Sequence, residues 1–125
     1  MRKTILVIDD DPAVLKSYGR LLKRLGHPIR LLGDVDEARR DPGILEDVEL
    51  LILDQRMPGL SGLDLLAVLR RGAERGAAGL KVLLISAFLS DDLRTRAARL
   101  GVLEVLEKPI DPQRLLRVVR SSLTA

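Results

Sequence analysis

The strongest constraint on the fold is an alternation. Five apolar runs of strand length are each followed by a stretch whose apolar residues recur at helical spacing. The runs are Thr4 to Ile8, Ile29 to Leu32, Leu50 to Leu53, Val82 to Ile85 and Val102 to Leu106. Most are continuously apolar rather than alternating, the pattern of parallel strands covered on both faces. Parallel neighbours need a crossover between them, and the intervening helical stretches supply it. The chain therefore reads βαβαβαβαβα, an α/β protein with helices on both faces of one parallel sheet.

The helix boundaries are well marked. The first helix carries Val14, Leu15, Tyr18, Leu21, Leu22 and Leu25, begins with Asp11 as N-cap and Pro12 at the first helical position, and stops at Gly26. "DVDEARRDPGILEDV" offers about two turns before Asp41-Pro42-Gly43 breaks the pattern. Ser61 caps a third helix bearing Leu63, Leu65, Leu66 and Leu69, and Ser90 caps a fourth with Leu93, Ala97 and Leu100. Asp111-Pro112 opens a fifth with Leu115, Leu116, Val118 and Val119. "RGAERGAAGL" reads as a small surface loop, and nothing marks a boundary within residues 1–125, which are expected to form one domain.

Composition narrows the function classes. The absence of cysteine excludes disulfides, thiolate metal sites and a cysteine nucleophile, and is compatible with a reducing compartment. The start "MRKTILVIDDD" has too short an apolar run for an export signal, and no run is long enough to span a membrane, so the expected location is cytoplasmic. A net charge of +3 invites a nucleic-acid reading, but the basic residues are dispersed among eighteen acids. The aromatic residues that would stack on bases amount to Tyr18 and Phe88, so direct nucleic-acid binding is not expected. Arg70, Arg71 and Arg75 are read as a solvated helix end in preference to a phosphate-backbone patch.

In an open parallel sheet the functional crevice lies beyond the carboxyl ends of the strands. The residues there are Asp9, Asp10 and Asp11 after the first strand, Asp54 after the third, Ser86 after the fourth and Lys108 after the fifth. Neighbouring carboxylates about 5 Å apart repel by roughly 3 kcal/mol per pair at an effective dielectric near 20, so the arrangement calls for a cation. Asp11 is accounted for as a helix cap beside Pro12. Asp9, Asp10 and Asp54 are oxygen ligands suited to a hard ion such as Mg²⁺. Taken singly, Asp54 could be a turn residue, Ser86 a cap and Lys108 a surface charge. Their joint placement at one sheet edge favours a site.

The segments "VIDDDP", "LLILDQRMPGLSGLDLL", "VLLISAF" and "VLEKPI", in this order and spacing, resemble the response-regulator receiver domains of two-component signalling. The resemblance covers essentially the whole chain. It implies a flavodoxin-like doubly wound sheet of order 2-1-3-4-5. It also implies that Asp54 accepts a phosphoryl group from a sensor histidine kinase or phosphotransfer protein. Asp10 and Asp54 would bind Mg²⁺ directly, Asp9 would act through water, and the backbone carbonyl of Arg56 would complete the metal ligands. Lys108 would pair with the phosphoryl oxygens, Ser86 would hydrogen-bond them after transfer, and the Lys108–Pro109 peptide would be cis. Such a protein is a signalling phosphoacceptor with slow self-catalysed phosphorylation and dephosphorylation, acting on a downstream protein or a fused output domain; homodimerisation through the fourth or fifth helix is left open.

The sequence departs from the receiver pattern at Val105, where an aromatic residue that reports the switch is usual, so phosphorylation is expected but the usual output movement is not. Arg56 and Phe88 occupy positions that tune phosphoryl lifetime. Arg56 reaches either the phosphoryl group or solvent, and Phe88 is expected to pack against a neighbouring loop rather than screen the site from water. Two other readings compete. A haloacid-dehalogenase-type phosphatase would need Asp-x-Asp-x-Thr or Val after the first strand, and Ala13 fails it. A pseudo-receiver that only binds partners would have lost a site residue, and none is missing.

Overall fold

In a computed structural model of the chain, residues 3–41, 43–73 and 79–124 are described. Pro42 and residues 74–78, half of the expected loop in "RGAERGAAGL" and including Arg75, lie outside them.

The first strand, β1 (Thr4–Ile8), has its apolar residues buried from Ile5 onward. It lies between β2 (Ile29–Leu32) and β3 (Val48–Asp54), and β4 (Lys81–Ser86) and β5 (Glu104–Glu107) extend the sheet beyond β3. The order is β2-β1-β3-β4-β5, and every pairing is parallel. This is the flavodoxin-like arrangement expected from the sequence. One irregularity interrupts the ladder: Thr4 pairs with Val48 but Ile5 with Leu50, so Glu49 is the extra residue. Continuous burial holds for β1, β3 and β4. The edge strands are only half covered, with Arg30, Leu31, Glu104 and Glu107 exposed.

Helices α1 (Pro12–Leu22), α2 (Val35–Arg40), α3 (Gly62–Ala73), α4 (Asp91–Arg99) and α5 (Pro112–Thr124) follow the five strands. A short 3₁₀ turn, Lys23–Leu25, carries α1 to Gly26. The expected caps are present: the Asp11 carboxylate accepts from the Ala13 and Val14 amides, Ser61 Oγ from Asp64 N, and Ser90 Oγ from Leu93 N. Helix α2 is short, as its interrupted pattern predicts. No helix among the described residues is long and apolar enough to cross a membrane.

The sheet divides the interior into two layers. On one face, Leu6, Ile8, Leu51, Leu53, Val82 and Leu84 pack with α2, α3 and α4. On the other, Ile5, Val7, Leu50, Ile52, Leu83 and Ile85 pack with α1 and α5. Alternate residues of the central strands therefore feed opposite cores, which is why these runs are apolar throughout.

The bounds of three strands differ from the sequence reading. Strand β3 begins two residues earlier and retains Asp54, because Asp54 still pairs with Ile85. Strand β4 likewise retains Ser86, paired with Glu107. Strand β5 begins at Glu104 rather than Val102, because Val102 N closes the end of α4 by donating to Ala97 O at 2.9 Å. Gly101 makes that turn with φ of 78°, a left-handed conformation that side chains disfavour. The same turn corrects the reading of Arg70. It is half-buried, with a guanidinium nitrogen 3.5 Å from Gly101 O, and desolvation lowers its pKa; only Arg71 of the three fits the exposed helix end, Arg75 being outside the described residues.

Candidate functional site

The carboxyl ends of β1, β3 and β5 bring the predicted acids and lysine together. Asp9 follows β1 and is held in the ladder by its amide, which donates to Leu32 O at 3.1 Å. It is 1% exposed, and its Oδ1 accepts from Asp11 N at 2.9 Å. Its Oδ2 is buried with no hydrogen-bond partner among the described residues. Asp10 is exposed. Asp54, the last residue of β3, is 4% exposed, and Lys108 Nζ lies 2.9 Å from its Oδ1. Lys108 is positioned by the end of the sheet, since its amide donates to Ser86 O at 2.8 Å, and the Lys108–Pro109 peptide is cis.

Asp9, Asp10 and Asp54 each offer a carboxylate oxygen within 4.8 Å of the other two. Burial pushes the Asp9 carboxyl above its ordinary range, and the Asp54 charge adds to this; the Asp11 amide and Lys108 oppose it. One lysine thus faces three carboxylates, and a buried oxygen stands without a partner, which costs free energy unless something supplies the missing interaction. A hard divalent cation would do so, and an all-oxygen donor set suits Mg²⁺ better than a softer metal. The residues present fit the ion.

Ser86 lies at the neighbouring strand end, 6% exposed, with its hydroxyl turned to its own loop. Oγ donates to Phe88 O at 2.7 Å and accepts from Phe88 N at 3.2 Å. The Phe88 side chain does not pack against a loop as expected. It is 74% exposed, because this turn points the chain outward before Ser90 begins α4. Arg56 is exposed on the loop after β3. Val105 is half-buried against the α3–α4 side of the sheet.

Two contributors escaped the sequence reading. Tyr18, on α1, has its phenol pushed up to about 12, chiefly by burial and then by the charges of Asp9 and Asp54. Gln55 caps α3 from outside the helix: its Oε1 accepts from Leu63 N at 2.9 Å. Neither has a local signal, because each contact joins separate elements. The adjacency of Gln55 to the strand-end acid and the Gly-Leu start of α3 is the only sequence hint.

A doubly wound sheet with three acids and a lysine at its carboxyl edge defines a class, the flavodoxin-like domains with an acidic pocket. The sequence pattern of the response regulator receiver domain matches residues 5–120, and the chain belongs to that family. It is 36% identical over 118 residues to the transcriptional regulatory protein FixJ of Azorhizobium caulinodans, covering 94% of this chain and 53% of that protein. It is 32% identical over 121 residues to the phosphoglycerate transport system transcriptional regulatory protein PgtA of Salmonella typhimurium, covering 96% and 28%. The chain thus spans about half or less of the length of these curated relatives. A response regulator receiver protein from Pseudomonas putida, of known structure, superimposes with a TM-score of 0.82 at 30% identity, covering 97% of this chain and 98% of that one.

Proposed function

We propose that residues 1–125 form one receiver domain whose Asp54 is phosphorylated, in a Mg²⁺-dependent way, by a histidine kinase or a phosphotransfer protein. The observation that carries this reading is the buried Asp54 carboxylate, 2.9 Å from Lys108 Nζ and beside two further acids. Asp10, Asp54 and the Arg56 backbone carbonyl would hold the ion directly and Asp9 through water. Bound there, Mg²⁺ would supply positive charge to the transferring phosphoryl oxygens.

The remaining work belongs to the chain. An Asp54 carboxylate oxygen forms a bond to phosphorus while the donor's phosphorus–nitrogen bond breaks, and that electron pair leaves with the donor imidazole, which takes up a proton. Phosphoryl transfer asks little covalent chemistry of a protein beyond positioning and charge stabilisation. Strand β3 fixes the acceptor, and Lys108 neutralises oxygens as charge shifts onto them. The acyl phosphate adds roughly −1.5 to −2 charges by analogy with other phospho-residues, enough to bias a two-state loop. Ser86 would answer by donating to a phosphoryl oxygen in place of Phe88 O.

This is stoichiometric signalling rather than multiple-turnover catalysis. The listener is a downstream protein or an output domain fused to this one, and a cytoplasmic location belongs to the same reading. A pseudo-receiver is disfavoured because Asp9, Asp10, Asp54, Ser86 and Lys108 are all present. Incubation with acetyl phosphate and Mg²⁺ is expected to add the mass of one phosphoryl group, with no gain in Asp54→Asn. A folded protein that gains nothing from several phosphodonors would overturn the proposal.

A further inference from the structure

The peptide that joins Asp54 to the following loop is gripped from two sides. Gln55 N donates to Ile85 O at 2.8 Å, continuing the β3–β4 ladder one residue past the acid. Gln55 O accepts from Gly62 N at 2.9 Å, and Gln55 Oε1 accepts from Leu63 N at 2.9 Å. Gly62 sits so close that a Cβ there would collide with Asp54 O and lie 3.0 Å from Gln55 Cα. The loop from Arg56 to Ser61 therefore leaves and returns through a neck closed by one residue.

The division of labour at α3 is informative. Three consecutive amides at its start are satisfied by Gln55 O, Gln55 Oε1 and Ser61 Oγ in turn. Ser61 is the local cap, sufficient to start the helix. The side chain of Gln55 does something Ser61 cannot: it ties the helix to the residue between Asp54 and Arg56.

We infer that Gln55 is a positioning residue for the metal and phosphoryl site, holding the Arg56 carbonyl in place relative to the Asp54 carboxylate by clamping the neck of the β3–α3 loop. The inference rests on the proposed function for the role of Arg56. Its structural basis does not.

Gln55→Leu keeps the approximate volume but removes the acceptor, and Gln55→Glu restores an acceptor of the same reach. Ser61→Ala is the control, because it removes a neighbouring cap of α3 without touching the neck. Mg²⁺ affinity is measured by titration without phosphodonor, together with the rate of phosphorylation by acetyl phosphate at saturating Mg²⁺ and hydrogen exchange over residues 56–61. Gln55→Leu is expected to weaken Mg²⁺ about tenfold, the low end for losing an outer partner of a metal ligand. It should also slow phosphorylation and speed exchange in the loop. Ser61→Ala should lower thermal stability with Mg²⁺ affinity unchanged, and Gln55→Glu should bind Mg²⁺ at least as tightly as wild type. Unchanged affinity in Gln55→Leu, or an equal loss in Ser61→Ala, would overturn the inference. A wild-type protein that binds Mg²⁺ but takes up no phosphoryl group would instead overturn the proposed function, leaving the Mg²⁺ comparison to decide this one.

Discussion

At the scale of single residues, Asp9 sets the electrostatic character of the pocket. Its carboxyl is buried with one oxygen unpartnered, and burial raises its pKa above the ordinary value of 3.8. Between that value and the raised one, the folded protein holds a proton that the unfolded chain has released. The contribution of Asp9 to stability in the presence of a chelator is therefore expected to fall as pH rises through that interval. Asp9→Asn should flatten this slope, and thermal melts across the acid range check it. Tyr18 gives a second handle, being the only tyrosine. Its phenolate absorbance should titrate near 12, and Asp9→Asn should lower the midpoint by removing one of the charges that raise it. The acids and Lys108 were legible in the sequence because strand ends converge by the geometry of the sheet. The direction of the Ser86 hydroxyl, the exposure of Phe88 and the cap from Gln55 were not, because each depends on where a loop returns.

At the scale of elements, the strands and helices were read with small boundary errors, and those errors share a cause. A pattern of apolar residues records burial, whereas a strand ends where its ladder ends. Asp54 and Ser86 are polar yet paired, so β3 and β4 reach into the site. Val102 is apolar yet belongs to the turn that closes α4. The junction of β3 with α3 is the tightest such point, since Gly62 leaves no room for a methyl group beside the Asp54 carbonyl. Gly62→Ala is expected to destabilise the fold by about 3 kcal/mol, the upper range for overpacking, as read by urea denaturation. It should also impair Mg²⁺ binding, because relief of the clash has to move either α3 or the backbone of Asp54.

At the scale of the whole molecule, two apolar layers enclose a sheet whose three central strands deliver Asp9, Asp54 and Ser86 to one edge. The alternation of runs made the α/β class legible, while the strand order came from the family resemblance rather than from any residue pattern. A cation drawn to that edge binds only the folded arrangement, so it stabilises the fold by mass action. At about a hundredfold excess over its dissociation constant, Mg²⁺ should add about 2.7 kcal/mol. Thermal melts with Mg²⁺ and then with a chelator test this, and Asp10→Asn should abolish most of the difference.

The Ser86 hydroxyl carries one proton, and in this structure it is committed to Phe88 O. A donor with a single proton cannot serve two acceptors fully, so on the proposed function donation to Phe88 O and donation to a phosphoryl oxygen would compete. On the proposed function, the β4–α4 loop would then act as a toggle rather than a dimmer, carrying with it a phenylalanine ring that already stands in water.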